Sequence, residues 1–187
     1  MKPVRPLFLL ALAVIAAPAS AAPAGACASA HPVATQACAT VLAHGGNAFD
    51  AAVATSVALN VAEPFGSSLG GGGFFLLHPA ADGGDLFLYG RERAPMAASR
   101  DMYRGADGKV AAESSRNGMR AVAVPHQVAL ITHLTSRYAS KPLAELLAPA
   151  IAAASEGITV DSRLADVIAF NLPRMDAAMR AVFAPRG

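Results

Sequence analysis

The run Glu63-Pro64-Phe65-Gly66-Ser67-Ser68-Leu69-Gly70-Gly71-Gly72-Gly73-Phe74-Phe75-Leu76-Leu77 decides how the chain is read. A turn signal follows at Asp82-Gly83-Gly84, then a second apolar run, Leu86-Phe87-Leu88-Tyr89, which ends on Gly90-Arg91-Glu92. Each apolar run is short and bounded by turn residues, so the pair reads as a β-hairpin. Neither run alternates apolar with polar residues, so both faces of the hairpin are expected to be covered. Four consecutive glycines carry no side chains to hold other groups away, so backbone or ligand is expected to approach closely there. The hairpin delivers a cation, Arg91, at the end of an apolar strand, a suitable place for an anion-binding residue.

Helices surround the hairpin. His31-Pro32 opens one, with proline at a tolerated early position, and His44-Gly45-Gly46 closes it. Asn47 caps a second helix over Ala48–Val61, in which Phe49, Val53, Val57, Asn60 and Val61 line one stripe and alanine fills most of the rest. Such a helix should be buried almost all round. Beyond the hairpin, 93–120 is irregular, punctuated by Pro95, Gly105, Asp107-Gly108 and Asn117-Gly118. A loop of that length suggests a role at a site. Ala121–Val124 reads as a short strand ended by Pro125. Helices are expected over Gln127–Tyr138 and Pro142–Ser155, with Gly157 closing the latter. A further helix, capped by Asp161 or Ser162, should run through Phe170, with a weaker helical tail after it.

The chain has 187 residues, 54% apolar and 15% charged, enough for a packed core and too apolar for disorder. A net charge of +2, with scattered Lys and Arg, leaves no footprint for nucleic acid. Met1–Ala22 reads as a targeting segment: Lys2 and Arg5 form a positive start, Leu7–Ala17 an apolar stretch, and Ala19-Ser20-Ala21 a small-x-small cleavage site. That run is too short for a membrane span. A signal peptide over 1–21 and export to a bacterial periplasm are expected. Such a compartment permits disulfides, and Cys27 and Cys38 are either bridged or two unpaired thiols. Two cysteines without matched histidine spacing make no zinc site, and Ala24-Gly25-Ala26 lacks the large apolar residue of a lipoprotein signal.

Little chemistry is visible in single residues. His31, His44, His78, His126 and His133 form no i, i+4 pair with a carboxylate, so no helical metal site is indicated. There is no GxSxG nucleophile elbow. Gly70–Gly73 lacks a Gly-Lys-Ser/Thr ending and precedes a strand instead of a helix, so it is no phosphate loop. The threonines sit as caps or helix-interior residues. The residues by themselves describe an exported α/β domain with an anion-binding arginine, and no cofactor is called for.

Taken together and in order, several motifs are more specific. His31-Pro32-Val33-Ala34-Thr35, Gly45-Gly46-Asn47-Ala48-Phe49-Asp50-Ala51-Ala52-Val53-Ala54, Glu63-Pro64, Gly70-Gly71-Gly72-Gly73-Phe74 and Gly90-Arg91-Glu92-Arg93-Ala94-Pro95 resemble the gamma-glutamyltranspeptidase family. So do Val124-Pro125, the helix Leu143–Ile151 and Glu156-Gly157. The likeness runs from about Ala28 to Phe170. Gly90 departs from the more usual acidic or small residue before the arginine. His126 stands where the family usually has glycine, which puts the local turn in question, since histidine tolerates positive φ poorly.

The resemblance implies the N-terminal-nucleophile hydrolase fold, an αββα sandwich of two stacked sheets with helices outside, present here as a partial copy over 22–187. It implies a precursor that cleaves itself into a large and a small subunit, the latter led by a nucleophilic threonine whose own amine is the base. The implied substrates are gamma-glutamyl compounds such as glutathione, with water, amino acids or peptides as acceptors. The matched motifs belong to the first part of the large subunit, so the nucleophile is expected outside this chain, which should be inactive alone. Arg91 matches the arginine that pairs with the substrate's α-carboxylate. Cephalosporin and glutaryl acylases share the fold and form the alternative within the enzyme class. A degenerate, non-catalytic fragment that binds an anionic small molecule is the alternative outside it.

Overall fold

The computed structural model describes residues 25–81 and 83–185. The expected signal peptide and its cleavage site, and Asp82 of the hairpin turn, lie outside the described residues.

The first two helices form where the caps place them. α1 runs Pro32–Ala43 and α2 Ala48–Ala62. The His31 ring Nδ1 accepts from the Val33 N–H at 3.2 Å, and Gly45, at φ 79°, supplies the left-handed residue that ends α1. At the start of α2, Asn47 Oδ1 accepts the Phe49 and Asp50 N–H groups at 2.8 and 2.9 Å. Asp50 Oδ2 accepts the Asn47 N–H at 2.7 Å, which completes a reciprocal capping box. Of the α2 residues only Ala48 is exposed, as its alanine-rich composition implies. α1 packs along α2.

Asp50 has a second task. It is fully buried, and it accepts the Ser140 and Lys141 N–H groups at 3.0 and 3.1 Å and the Ser140 hydroxyl at 2.5 Å. Those residues lie between α3, Gln127–Tyr138, and α4, Leu143–Glu156. Burial pushes the Asp50 carboxyl upward, but the bonds from Ser140, Asn47 and Lys141 outweigh it and hold it below its ordinary value. One carboxylate thus docks α3 and α4 onto the start of α2. Ala34, Val53, Ala54, Ala58, Leu134 and Leu146 meet in the core between these helices.

The hairpin is β1, Gly73–Leu77, and β2, Leu86–Gly90, antiparallel with Gly73 opposite Gly90 and Leu77 opposite Leu86. Phe75, Leu77, Leu86 and Leu88 face the helical core. The other face is bare: Phe74, Leu76, Phe87 and Tyr89 are exposed, Leu76 at 73%. Phe74 packs its ring on Phe87 and Tyr89, centroids 5.5 and 5.4 Å apart. The expectation of cover on both faces is therefore met on one face by the described residues. A two-stranded sheet offers α3 and the core a single side, and no described element reaches the other.

The expected strand Ala121–Val124 is not formed. Met119–Ala121 is a 3₁₀ turn, and Val124 makes an isolated antiparallel bridge with Arg93. In the register of that bridge Val122 would face Pro95, which has no N–H to donate, so the pairing does not run back along 121–123. Residues 93–120 are turns and one further bridge, Arg104–Val110. Asp161 Oδ1 caps α5, Ser162–Asn171, by accepting the Leu164 N–H at 2.8 Å. The tail is a 3₁₀ turn, Leu172–Arg174, and α6, Ala177–Phe183.

Cys27 and Cys38 are bridged, with Cα atoms 6.1 Å apart. Of the two open readings, the structure takes the disulfide, which ties the segment before α1 to the middle of that helix.

Candidate functional site

Glycine controls the approach of the elements that carry Arg91. A Cβ on Gly72 would overlap the Gly90 carbonyl oxygen, and a Cβ on Gly90 would overlap the Leu130 side chain of α3. Bare backbone is therefore required just before β1 and at the end of β2, and Leu130 fills the space left at Gly90. That contact gives the unusual glycine before Arg91 a packing reason. The close approach expected at the four-glycine run is made by backbone and by α3.

Arg91, one residue past β2, borders a cavity of about 350 Å³. Its walls are the Pro64–Ser68 turn, the Gly71–Gly73 backbone, Phe75 and Gln127. The Arg91 side chain is 54% exposed, and its Nε lies 3.3 Å from Glu92 Oε2. Among the described residues Glu92 is the one acid within 4.0 Å of it. An ion pair through Nε leaves the two terminal nitrogens of the guanidinium to form a planar fork toward a carboxylate. The hydroxyls around the cavity are those of Ser56, Ser67 and Ser68, and no histidine lines it. Such a site can bind and orient an anion. Among the lining residues no serine hydroxyl is hydrogen-bonded to a histidine or a carboxylate.

The turn opposite Arg91 is braced. The Glu63 carbonyl accepts from Gly66 and Ser67 N–H at 2.9 and 2.8 Å, and the Ser67 hydroxyl lies 3.0 Å from Asn60 Oδ1 on α2. Arg163 of α5 pairs with Glu63 at 3.1 Å and lies over the Phe65 ring. Arg93 points to different surroundings: it borders a separate groove with Tyr89, His126 and His133. His126 has φ −125°, so the histidine in the Val-Pro-His turn needs no positive φ. Its ring Nδ1 lies 2.7 Å from the Arg91 carbonyl oxygen. Ser67, Ser68, Gln127 and this His126 contact were not apparent from the sequence. The serines follow the Glu63-Pro64 helix stop, the one local signal that marked them.

Among the described residues no group of three or more His, Cys, Asp or Glu could hold a metal ion. No helix among them is long and apolar enough to cross a membrane.

Residues 34–187 match the family model described as Gamma-glutamyltranspeptidase. The chain belongs to the gamma-glutamyltranspeptidase family. The glutathione hydrolase proenzyme of Bacillus subtilis strain 168 is 37% identical over 165 residues, 87% of this chain and 28% of that protein. The crystal structure of Helicobacter pylori gamma-glutamyltranspeptidase superposes with a TM-score of 0.83 at 35% identity, over 87% of this chain and 47% of that one. Cephalosporin acylase from Bacillus halodurans superposes with a TM-score of 0.70 at 30% identity, over 84% of this chain and 30% of that one. The family thus includes glutathione hydrolases, with acylases as related members. The chain spans under a third of the length of the curated relatives it matches. As a gamma-glutamyltranspeptidase family member it carries part of the N-terminal-nucleophile hydrolase α/β fold: its helices and the small sheet they cover.

Proposed function

We propose that this chain is the N-terminal part of the large subunit of an exported gamma-glutamyltransferase and glutathione hydrolase. Residues 1–21 are its signal peptide, the mature domain starts at Ala22, and the enzyme works in the periplasm or outside the cell. A small subunit from the remainder of the precursor supplies the nucleophilic threonine, whose free amine takes the hydroxyl proton. The threonine attacks the gamma-glutamyl amide of glutathione and related compounds, and the acyl-enzyme passes to water, an amino acid or a peptide. This chain alone turns over no substrate, because its cavity holds an anion-binding arginine and no nucleophile–base pair.

The observation that carries the reading is Arg91 at the rim of the glycine-walled cavity, its Nε held by Glu92. A gamma-glutamyl substrate must be gripped at its α-carboxylate so that the distant amide reaches the nucleophile. A guanidinium fork does this with two parallel bonds. Such a charge-assisted contact is worth about 1.5–3 kcal/mol, roughly tenfold to a hundredfold in KM or kcat/KM. In a proenzyme that carries this chain, Arg91→Ala should raise KM for a gamma-glutamyl anilide by that factor. Arg91→Lys keeps the charge without the fork and should fall between Ala and parent, while Arg93→Ala should be milder than either. An Arg91→Ala enzyme that matures normally and keeps KM within twofold of the parent would refute the role.

The acylase reading draws on the likeness to the Bacillus halodurans enzyme. Faster turnover of glutaryl than of gamma-glutamyl amides by the same proenzyme would favour it.

A further inference from the structure

We infer that His126 is a positioning residue for Arg91. Its ring sets the backbone from which the guanidinium enters the cavity. The inference rests on the proposed carboxylate-binding role of Arg91.

Arg91 and Glu92 occupy a gap in the β-pairing. The hairpin ladder ends at the Gly73–Gly90 pair, and the next pairing is the isolated Arg93–Val124 bridge. Within that gap the Arg91 carbonyl oxygen lies 2.7 Å from His126 Nδ1, across 35 residues of sequence. A carbonyl oxygen can only accept, so Nδ1 carries the proton in this contact. The bond holds the 91–92 peptide plane, hence ψ of Arg91, and through it the direction in which the side chain leaves the strand.

The same residue is tied to the opposite wall of the cavity. The His126 and Gln127 N–H groups both donate to the Gly71 carbonyl, at 3.0 and 2.9 Å. The His126 carbonyl accepts the Leu130 N–H at 3.0 Å, which begins α3. Gly71 and Gln127 line the cavity. His126 therefore bridges the glycine wall and the arginine strand, and α3 anchors it. Backbone bonds alone would hold the wall; the ring bond transmits that position to Arg91.

Side-chain geometry gives the test its discrimination. Asparagine places an amide N–H near the position of Nδ1, whereas glutamine places one nearer that of Nε2. The variants His126→Ala, His126→Gln and His126→Asn, with Arg91→Ala as reference, are compared in a proenzyme that carries this chain. KM and kcat for a gamma-glutamyl anilide and the thermal midpoint are measured for each. Loss of one net hydrogen bond should raise KM ~3- to 10-fold in the Ala and Gln variants. In both, kcat should stay within about twofold, and His126→Asn should restore KM to near the parental value. KM that follows the thermal midpoint instead of the presence of an Nδ1-like donor would overturn the inference. So would unchanged KM in all three His126 variants while Arg91→Ala raises it, and in that case the Arg91 reading would stand. An Arg91→Ala variant with parental KM would remove the underlying reading and this inference with it.

Discussion

The helical layer and the outer face of the hairpin are written in equally apolar sequence, yet one is closed and the other bare. In the helical layer, Val53, Ala54 and Ala58 of α2 are shielded by α1 on one side and by α3 and α4 on the other. On the hairpin, Phe75 and Leu88 reach that core while Phe74, Leu76, Phe87 and Tyr89 face outward. The difference lies in where the partner is encoded. α1 reaches α2 across one short turn, and α3 and α4 reach it through Asp50, some ninety residues from its contacts at Ser140 and Lys141. No described residue performs that service for the outer sheet face.

Breaking the closed side should have the largest effect. Asp50→Ala leaves the Ser140 and Lys141 N–H groups without their acceptor, and hydrogen bonds to a charged group are worth about 1.5–3 kcal/mol each. A loss of about 3 kcal/mol is expected in urea unfolding followed by circular dichroism. The pH dependence has a definite sign. The folded-state Asp50 carboxyl is held below its ordinary value of 3.8, so its contribution is fully present above that pH. The contribution is lost as pH falls from there through the lower folded-state value. In Asp50→Ala this part of the acid sensitivity should vanish. Parental stability in that variant would mean that the two halves of the helical layer are docked by apolar contact alone.

The bridge between Cys27 and Cys38 sharpens the comparison at its edge. It closes a short loop, 11 residues in separation, and a crosslink of that size is worth about 2–3 kcal/mol. Cys38→Ser, or reduction of the parent, should lower the urea midpoint accordingly, and hydrogen exchange should rise mainly in 25–31 and the first half of α1. Exchange that rises equally in the hairpin would show that the bridge supports more than its own helix.

The smallest stability effect belongs to the bare face. Leu76 is exposed, so Leu76→Lys should change unfolding free energy by less than about 0.5 kcal/mol. It should nonetheless reduce self-association of the chain, since an exposed apolar strand face invites pairing. Light scattering and the urea midpoint, measured together, separate the two. A strongly destabilised Leu76→Lys would mean that the face is covered after all.

Much of this was legible in the sequence because local chemistry decided it. Asn47, Gly45, Gly157 and Asp161 mark helix ends through their own backbone preferences, and α1, α2, α4 and α5 begin or end where those residues stand. The hairpin and the placing of Arg91 at its end followed from two apolar runs and their flanking turns. What was not legible depends on partners distant in sequence. The two-sided cover of the hairpin was a statement about neighbours, and among the described residues one face has none. Ala121–Val124 has the composition of a strand, but Pro95, which would face Val122, leaves it the single bridge with Arg93. Disulfide and free thiols both stayed open for Cys27 and Cys38 until three-dimensional proximity chose. Ser67, Ser68 and Gln127 become cavity walls only when the turn, the glycine run and α3 converge.

The stacked contacts Gly72 to Gly90 to Leu130 bear on how far the cavity can be re-engineered. Neither glycine can accept a side chain without displacing a strand or α3, and Arg91 is the next residue along. Variation at those two positions would therefore move the arginine before it reshaped the pocket. Ser67, Ser68 and Gln127 carry side chains around the same cavity, and replacing one removes at most a local hydrogen bond, such as Ser67 to Asn60 or the Gly70 N–H to Ser68. A library aimed at altered anion preference has its freedom at those three positions, while the glycine pair and Leu130 set the ground on which any such variant must stand.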